Sequence, residues 1–183
     1  HCGANNGFIR YWYDQSGNAV DAGQATQTSQ PKIYDSSTGI IEEGAAGKEK
    51  PALDFDGSTN FLATSTTTWS DGDVHFCVLQ TKGIGGGDVW SCAHTSPFLF
   101  RYASNSANRF FLAYMSLQYQ IIENTGSTVQ ELATCEIDNG TQAYYANGTS
   151  LGSQSVTGGI STSSNFVHIG KRATANFFLG NIQ

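Results

Sequence analysis

The sequence predicts an all-β fold, a sandwich or a barrel, on three observations. Apolar residues at helical spacing are nearly absent, since the best candidate, around Ala63 to Trp69, is broken by a run of Ser and Thr. Short runs of aromatic and β-branched residues recur instead, separated by Gly, Asn, Asp and Ser. The 183 residues include 11 Phe, 8 Tyr and 3 Trp, enough to fill one core.

Each predicted strand is a run of such residues bounded by turn-forming residues. In chain order the predicted strands are Phe8–Tyr13, Lys32–Tyr34, Ala52–Asp56, Phe61–Ala63, Val74–Thr81, Val89–His94, Phe98–Tyr102, Phe110–Tyr114, Gln118–Glu123, Val129–Ile137, Gln142–Ala146, Phe166–Ile169 and Phe177–Leu179. Hairpin turns are predicted at Lys82–Gly87 and at Asn147-Gly148, a dipeptide that tolerates positive φ at both positions. No internal repeat or linker interrupts the series, so we expect one domain over residues 1–183.

Composition and charge exclude several classes of protein. Charged residues make up only 13% of the chain, the net charge is −6, and Lys171-Arg172 is the largest cluster of basic residues. These features argue against binding to nucleic acids or to anionic membrane surfaces. No apolar run is long enough for a transmembrane helix. The chain opens at His1 without a signal peptide, so we expect a processed or partial product.

Two predicted strands are apolar on both faces. Phe110-Phe111-Leu112 and Phe177-Phe178-Leu179 lack the alternation of a half-exposed strand. We therefore expect both faces of each strand to be covered by a second layer, a long loop or a neighbouring subunit.

Five motifs occur in an order that resembles a known family. They are Trp12–Asn18 with Ala25–Gln27 and Gln30–Ile33, Lys50–Gly57, Tyr144–Thr149, Phe166–Gly170 and Phe178–Gln183. Together they resemble the concanavalin A-like jelly rolls of the laminin-G-like type, found in phage virion and tail-fibre proteins and in bacterial surface proteins. The resemblance implies a jelly-roll sandwich of two antiparallel sheets.

The chain departs from this family at its end. Members usually continue past the last motif with one more apolar strand, whereas the sequence stops at Gln183. We expect that a terminal strand or flanking segments are missing, or that a neighbouring chain supplies the strand, because a bare sheet edge invites pairing.

The cysteines are Cys2, Cys77, Cys92 and Cys135. If Val74–Thr81 and Val89–His94 form a symmetric hairpin, Cys77 faces Cys92, which makes this pair the disulfide candidate. His75 and His94 would then share the same face, so a metal site is an alternative. Buried free thiols are another, and so is pairing of Cys2 with Cys135.

Carboxylates in turns suggest calcium as a possible cofactor. Asp54 and Asp56 flank Phe55 and share a strand face, and Asp14 lies in the first loop. Asp14, Asp54 and Asp56 are therefore the candidate calcium ligands, because calcium prefers carboxylate and carbonyl oxygens. The alternative is that each side chain only braces its own turn.

A second resemblance concerns catalysis. The segment Tyr13–Asn18 resembles the opening of the catalytic domain of the fungal α-L-arabinofuranosidase B family, whose nucleophile lies in a Cys-Glu-Thr segment. The nearest match is Cys135-Glu136-Ile137, only two residues. A fold carries no chemistry without its site, so we expect no enzyme and no catalytic residue, with a glycoside hydrolase as an alternative.

Aromatic rings beside amide and hydroxyl groups suggest sugar recognition. The candidate rings are Trp12, Tyr13, Trp69, Trp90, Tyr102, Tyr114, Tyr119, Tyr144 and Tyr145, most of which must fill the core. Thr66–Gly72 has the composition of a loop, so Trp69 and Asp71 are the first ligand-binding candidates. Tyr119 and Gln118 are the second.

These observations lead to one functional expectation and two alternatives. We expect a non-catalytic display module on the surface of a virion, fibre or cell, outside the cytoplasm, that binds glycans or neighbouring copies of itself. A purely structural module that completes its sheet with a neighbouring subunit is the first alternative, and a glycoside hydrolase is the second.

Overall fold

Strands dominate the computed structural model of the chain. The model describes residues 2–44, 46–67, 74–81, 87–92, 99–104, 108–114, 118–123, 131–138, 140–155, 165–171 and 177–183. Within these ranges the strands are β1 (Gly7–Phe8), β2 (Tyr11–Trp12), β3 (Ala22–Gly23), β4 (Lys32–Asp35), β5 (Gly39–Ile40), β6 (Glu42–Glu43), β7 (Lys50–Pro51), β8 (Leu53–Asp56), β9 (Leu62–Thr67), β10 (Val74–Thr81), β11 (Gly87–Cys92), β12 (Leu99–Ser104), β13 (Asn108–Tyr114), β14 (Gln118–Glu123), β15 (Glu131–Asp138), β16 (Thr141–Ala146), β17 (Thr149–Ser155), β18 (Asn165–Ile169) and β19 (Leu179–Ile182). A short 3₁₀ helix spans Gln27–Ser29.

The strands form two large antiparallel sheets and one small ribbon. The first sheet has the order β1-β4-β8-β19-β10-β15-β16-β17, with β5 attached to β4. The second sheet has the order β14-β13-β12-β11-β18-β9-β3-β2, and β6 pairs with β7 in a separate ribbon. Neighbours in both sheets are often far apart in the chain, as expected for a sandwich rather than for a series of hairpins.

Alternation of side chains decides which face of each strand is buried. In β8, Leu53 and Phe55 are buried, whereas Asp54 and Asp56 point to the opposite face. The sequence predicted this division. In β16 the alternate residues Gln142, Tyr144 and Ala146 are buried in the same way.

The core lies between the two sheets. It joins Phe55 and Tyr144 of the first sheet to Leu62, Val89 and Val167 of the second. Apolar side chains from both inner faces therefore fill one layer, which is the arrangement of a β-sandwich. The predicted all-β jelly-roll sandwich of antiparallel sheets is confirmed.

The hairpin predicted between the strands of Cys77 and Cys92 is wrong. Strand β10 pairs with β15 and β19 in the first sheet, whereas β11 pairs with β12 and β18 in the second. Both edges of each strand are therefore occupied by other partners. Cys77 faces Ala133 and Cys92 faces Val167 across the strands, so the cross-strand argument for a Cys77–Cys92 disulfide no longer holds.

The side chains of Cys77 and Cys92 lie outside what the structure describes, and the disulfide remains a prediction. The proposed patch with two histidines also loses its basis, because His75 belongs to the first sheet. His94 is outside the described residues. Cys2 and Cys135 are both free thiols, Cys2 exposed and Cys135 buried, so their pairing is not seen.

The turn between β16 and β17 agrees with its prediction. Asn147 has a φ of 51° and Gly148 a φ of 79°, the pair of positive angles that a two-residue hairpin of this kind requires. The Asn147 side chain also accepts a hydrogen bond from the Leu132 backbone N–H at 2.9 Å, which ties the turn to β15.

The doubly apolar segment before β19 is covered in part by this chain itself. Phe178 is buried in the core against Phe55, with ring centroids 6.2 Å apart in an edge-on arrangement, while Phe177 and Leu179 are half-buried. The side chains of Phe110–Leu112, in β13, lie outside the described set.

The β6–β7 ribbon is tied to the end of the chain. The Asn181 side-chain amide donates to the Glu43 carboxylate. The Gln183 amide donates to the backbone oxygens of Glu43 and Lys50, at 2.8 and 3.0 Å. These bonds place Gln183 next to Pro51 and Leu53, on the border of the cleft described below.

Candidate functional site

Three consecutive aromatic residues are exposed at one edge of the second sheet. Tyr11 and Trp12 form β2, the last strand of that sheet, and Tyr13 follows directly. Their exposed fractions are 48%, 37% and 63%. The rings of Tyr11 and Tyr13 stack, with centroids 6.2 Å apart and planes 22° from parallel. Large rings are usually buried, so their joint exposure makes this edge the candidate binding surface.

The three rings border a cleft of about 390 Å³. Its floor includes Ile9, Ile33, Leu53 and Ile182, of which Leu53 and Ile182 are core residues that face each other across β8 and β19. The cleft therefore opens directly onto the apolar layer between the sheets. Its volume lies in the range of small-molecule sites, which are concave, mostly apolar and edged by a few polar groups.

A braced loop holds Tyr13 at the rim. The Asp14 carboxylate accepts hydrogen bonds from the backbone N–H and hydroxyl of Ser16, both at 2.7 Å, and from the Val20 N–H at 3.2 Å. The Ser16 bonds and then the Val20 bond lower the pKa of Asp14. The Asp14 N–H donates to Asp21, and the Gln15 amide donates to the Tyr13 carbonyl. These bonds organise the segment that carries Tyr13 and Gln15.

Asp56 braces the turn that follows β8. One carboxylate oxygen accepts from the backbone N–H groups of Ser58, Thr59 and Asn60 at 2.8–3.0 Å, and the other from the Thr59 hydroxyl at 2.6 Å. Burial raises the pKa of Asp56, but these hydrogen bonds outweigh burial and leave the pKa well below its usual range. The carboxylate is therefore committed to its own turn.

Replacing Asp56 by alanine is expected to lower the free energy of unfolding by about 1–3 kcal/mol, because three backbone N–H groups lose their acceptor. Urea denaturation measures the change, with Asp138→Ala, an exposed carboxylate on β15, as the control. The loss should be the same with calcium and with a chelator. If the chelator abolished the difference in stability between the unmodified protein and Asp56→Ala, Asp56 would be a calcium ligand rather than a turn brace.

The three candidate calcium ligands do not form a metal site with one another. In the ranges that the model covers, no group of three or more His, Cys, Asp or Glu side chains is placed to hold a metal ion. Asp14 and Asp56 act as turn braces, and Asp54 lines a different cavity. Calcium binding remains a prediction.

That cavity is polar and lies beside the first sheet. It has a volume of about 530 Å³ and is lined by Asp35, Glu42, Glu49 and Asp54, together with Lys32. Lys32 and Asp35 form an ion pair at 3.0 Å. Hydrogen bonds from Ser37, then the contact with Lys32, hold the pKa of Asp35 well below its usual range. Backbone hydrogen bonds also lower the pKa of Glu49.

Of the ligand-binding residues chosen from the sequence, Gln118 and Tyr119 lie on a strand that the structure describes. Trp69 and Asp71 lie outside the described residues. Gln118 and Tyr119 belong to β14, and their side chains are not described. Strands β14 and β2 are at opposite edges of the second sheet, so the structure does not bring Tyr119 to the rings at β2.

Sequence reasoning missed the grouping of Tyr11 with Trp12 and Tyr13. The available signal was their adjacency: side chains alternate across a strand, so three consecutive rings cannot all point into one core. The turn-forming residues Asp14–Asn18 gave a second signal, because they follow Tyr13 directly and leave no room for the strand to continue.

The segment compared with the arabinofuranosidase nucleophile lies in β15. Cys135 points into the core, and burial raises the pKa of its thiol well above its usual range, with a smaller contribution from Glu136. Glu136 is half-buried on the other face and accepts a hydrogen bond from the Tyr145 hydroxyl at 3.4 Å. At 3.4 Å this hydrogen bond is long and therefore weak.

His168 is a partly buried histidine on β18. Its Nδ1 atom is buried and finds no hydrogen-bond partner among the residues that the structure describes, and its ring meets the Phe61 ring edge-on with centroids 5.8 Å apart. The Lys171 ammonium lies 3.4 Å from the Phe61 ring centroid. Burial, followed by the charge of Lys171, lowers the pKa of His168 to about 4.

The fold is therefore expected to lose stability in mild acid. Between pH 6.5 and 4 the unfolded chain binds a proton at His168 that the folded protein rejects, so the free energy of unfolding falls as the pH falls. After allowance for partial solvent screening the effect is about 1 kcal/mol. Denaturation of the protein and of His168→Gln at pH 7 and pH 4.5 measures it. If the unmodified protein and His168→Gln lost the same free energy of unfolding between pH 7 and pH 4.5, the acid sensitivity could not be assigned to His168.

The chain is similar to known proteins in its fold but not in its sequence. No protein-family model and no curated protein sequence matches it. Within the described part of the chain, no helix has the length and apolarity to cross a membrane.

Several solved structures share the fold. A SAP-like pentraxin from Limulus polyphemus aligns with a TM-score of 0.60 at 16% identity, over 72% of each chain. Domain 4 of AbnA, a GH43 extracellular arabinanase from Geobacillus stearothermophilus, aligns at 0.59 and 12% identity, over 79% of this chain and 73% of that one. A GH54 α-L-arabinofuranosidase aligns at 0.73 and 13% identity over 99% of this chain, which spans 47% of the arabinofuranosidase chain. At these identities the likeness shows a β-sandwich jelly roll.

Proposed function

We propose that the domain binds neutral glycans without cleaving them, and that the aromatic cleft is the site. The observation that carries the proposal is the stacked, exposed pair Tyr11 and Tyr13 beside Trp12 at the rim of the cleft. Sugars present apolar C–H faces that pack on aromatic rings, and hydroxyl groups that hydrogen-bond to amides. The Gln15 amide stands at the same rim.

The structural neighbours suggest which sugars to test first. The AbnA domain was solved in complex with arabinotriose, and an arabinofuranosidase in complex with arabinofuranosyl-α-1,2-xylobiose. Arabinose-containing oligosaccharides are therefore the first probes, within an array of neutral and acidic glycans. Running the array with calcium and with a chelator also tests the calcium prediction, because a calcium-dependent site would lose its signal in the chelator.

Two variants localise the binding. Tyr13→Ala should weaken binding of an array-positive glycan at least about tenfold, because the exposed ring supplies stacking area at the rim. Phe8→Ala is the matched control, since Phe8 is 42% exposed but does not line the cleft. No binding to any glycan would remove the proposal. If both variants lost the same affinity for the glycan, the binding site would lie outside the cleft.

The surrounding role is part of the same proposal. A module that binds neutral glycans and has few charged residues suits display on the surface of a virion, fibre or cell. The motifs that resemble laminin-G-like proteins support the same role. Assembly with neighbouring copies is the structural alternative. Sedimentation of the purified domain separates the two, because a module that only assembles would self-associate and bind no glycan.

A glycoside hydrolase is the second candidate function. The polar cavity favours it, because Asp35, Glu42, Glu49 and Asp54 place several carboxyl groups around one space. Glycoside hydrolysis, however, needs one carboxyl group that stays protonated near neutral pH. Asp35 and Glu49 have lowered pKa values, the opposite of that requirement. Release of nitrophenol from 4-nitrophenyl α-L-arabinofuranoside would establish the enzyme; we expect none.

A further inference from the structure

We propose that the cleft selects an uncharged sugar unit that carries an apolar substituent, such as an alkyl or O-acetyl group, over the unsubstituted or acidic sugar. This inference rests on the proposed function and specifies the class of ligand that the same site takes. The substituent enters the cleft, and the sugar ring remains at the aromatic rim.

The described residues that line the cleft offer an acid no ionic partner. All eleven are apolar, aromatic or amide side chains, without Lys, Arg, His, Asp or Glu. The nearby Arg10 guanidinium lies 5.5 Å from the Tyr11 ring centroid and does not line the cleft. A uronic or sialic acid carboxylate would lose water here without gaining an ionic partner, which is unfavourable.

The floor of the cleft is more apolar than a sugar ring requires. Leu53 and Ile182 are 6% and 3% exposed, and Ile9 and Ile33 are half-buried and pack against the same core. A hydroxyl group that reached this floor would meet aliphatic side chains and lose its hydrogen bonds to water. An alkyl or acetyl group would bury apolar surface there instead.

The exposed residues of the cleft lining include aromatic and polar ones, in contrast to its buried floor. Tyr13 is 63% exposed, and Gln15 is exposed beside it on the braced loop. The ring of a sugar therefore has its stacking and hydrogen-bonding partners at the mouth, while its substituent points toward Ile33 and Leu53. This division of the cleft predicts that affinity depends on the substituent as well as on the sugar.

The test compares matched glycosides by isothermal titration calorimetry. The probes are methyl and butyl α-L-arabinofuranoside, methyl and butyl β-D-glucopyranoside, and methyl β-D-glucuronide. Each butyl glycoside should bind at least about tenfold more tightly than its methyl partner, because three further CH₂ groups are buried. The glucuronide should bind more weakly than methyl glucoside. Equal affinities within the methyl and butyl pairs would overturn the inference.

Variants show whether the gain arises in the cleft. Ile33→Thr should remove most of the butyl preference, whereas Ile40→Thr, at an isoleucine that is 54% exposed and outside this cleft, should leave it intact. Gln15→Lys, at an exposed position, should improve glucuronide binding by adding a cation at the rim. A butyl preference unchanged in Ile33→Thr would contradict the assignment. Arabino-oligosaccharides that bind in the array and weaken with Tyr13→Ala, without a butyl preference, would refute this inference and leave the proposed function intact.

Discussion

Replacing Gly170 by alanine is expected to destabilise the fold by about 2–5 kcal/mol. Gly170 has a φ of +86°, which costs an L-residue about 1–2 kcal/mol. A Cβ atom there would overlap the Phe55 ring and lie 3.3 Å from the Asn60 carbonyl oxygen. Overpacking of this kind adds about 1–3 kcal/mol, and Gly170 cannot move away, because its N–H and carbonyl bond to Val89 and Phe178. Guanidinium denaturation measures the total.

Gly17→Ala separates the two contributions. Gly17 has the same φ of +86°, but a Cβ atom there meets nothing within 4 Å, so only the conformational cost of about 1 kcal/mol should appear. Combining Gly170→Ala with Phe55→Leu should recover part of the steric cost, which a double-mutant cycle detects. If Gly170→Ala and Gly17→Ala lost the same free energy of unfolding, the Phe55 ring would move aside at no measurable cost.

Replacing Phe178 by alanine is expected to cost about 3–5 kcal/mol, the range for removing a buried aromatic ring from a packed core. Phe178 is 1% exposed, its ring packs edge-on against Phe55, and its backbone bonds to Gly170 and Gly57. The truncated side chain would leave a cavity between the sheets, because the strands on either side are held by their own ladders.

Phe8→Ala is the control for this measurement. Phe8 is 42% exposed, so its truncation should change the free energy of unfolding by no more than about 0.5 kcal/mol. A loss of less than about 1 kcal/mol for Phe178→Ala would mean that the core closes around the missing ring, contrary to the close packing described above.

Local features of the fold were predictable from the sequence, but strand pairing was not. The division of β8 into Leu53 and Phe55 on one face and two aspartates on the other follows from alternation alone. Strand β10 has the bounds predicted for it, Val74–Thr81. Pairing depends on contacts far apart in the chain, so a hairpin assumed from proximity placed Cys77 opposite the wrong residue. Phe8–Tyr13, predicted as one strand, became two short strands in different sheets.

Strand β17 is another element that could not be predicted from the sequence. Its sequence, Thr149–Ser155, is polar and lacks an apolar period, so nothing in the composition predicts a strand. It forms because β16 offers a free edge directly after the Asn147-Gly148 turn, and the hydrogen-bond ladder continues across that turn.

The candidate site could be predicted only in part, for a similar reason. The sequence supplied Trp12 and Tyr13 among the rings that sugars use, but only the structure shows which rings are exposed. The floor of the cleft joins Ile9 and Ile33 to Ile182, residues that adjacency in the sequence does not connect. Asp14 and Asp56 look alike in the sequence whether they bind calcium or brace a turn. Their hydrogen bonds in the structure show that both brace turns, and calcium binding remains a prediction.

The position of β19 has a consequence for how the protein is made on the ribosome. Leu179–Ile182 is inserted between β8 and β10, in the middle of the first sheet, although both of those strands precede it in the chain. During synthesis on the ribosome, the edges of β8 and β10 that pair with β19 stay unpaired until residues 179–182 leave the exit tunnel. Hairpins can therefore form early, whereas the two halves of this sheet join only after β19 has emerged.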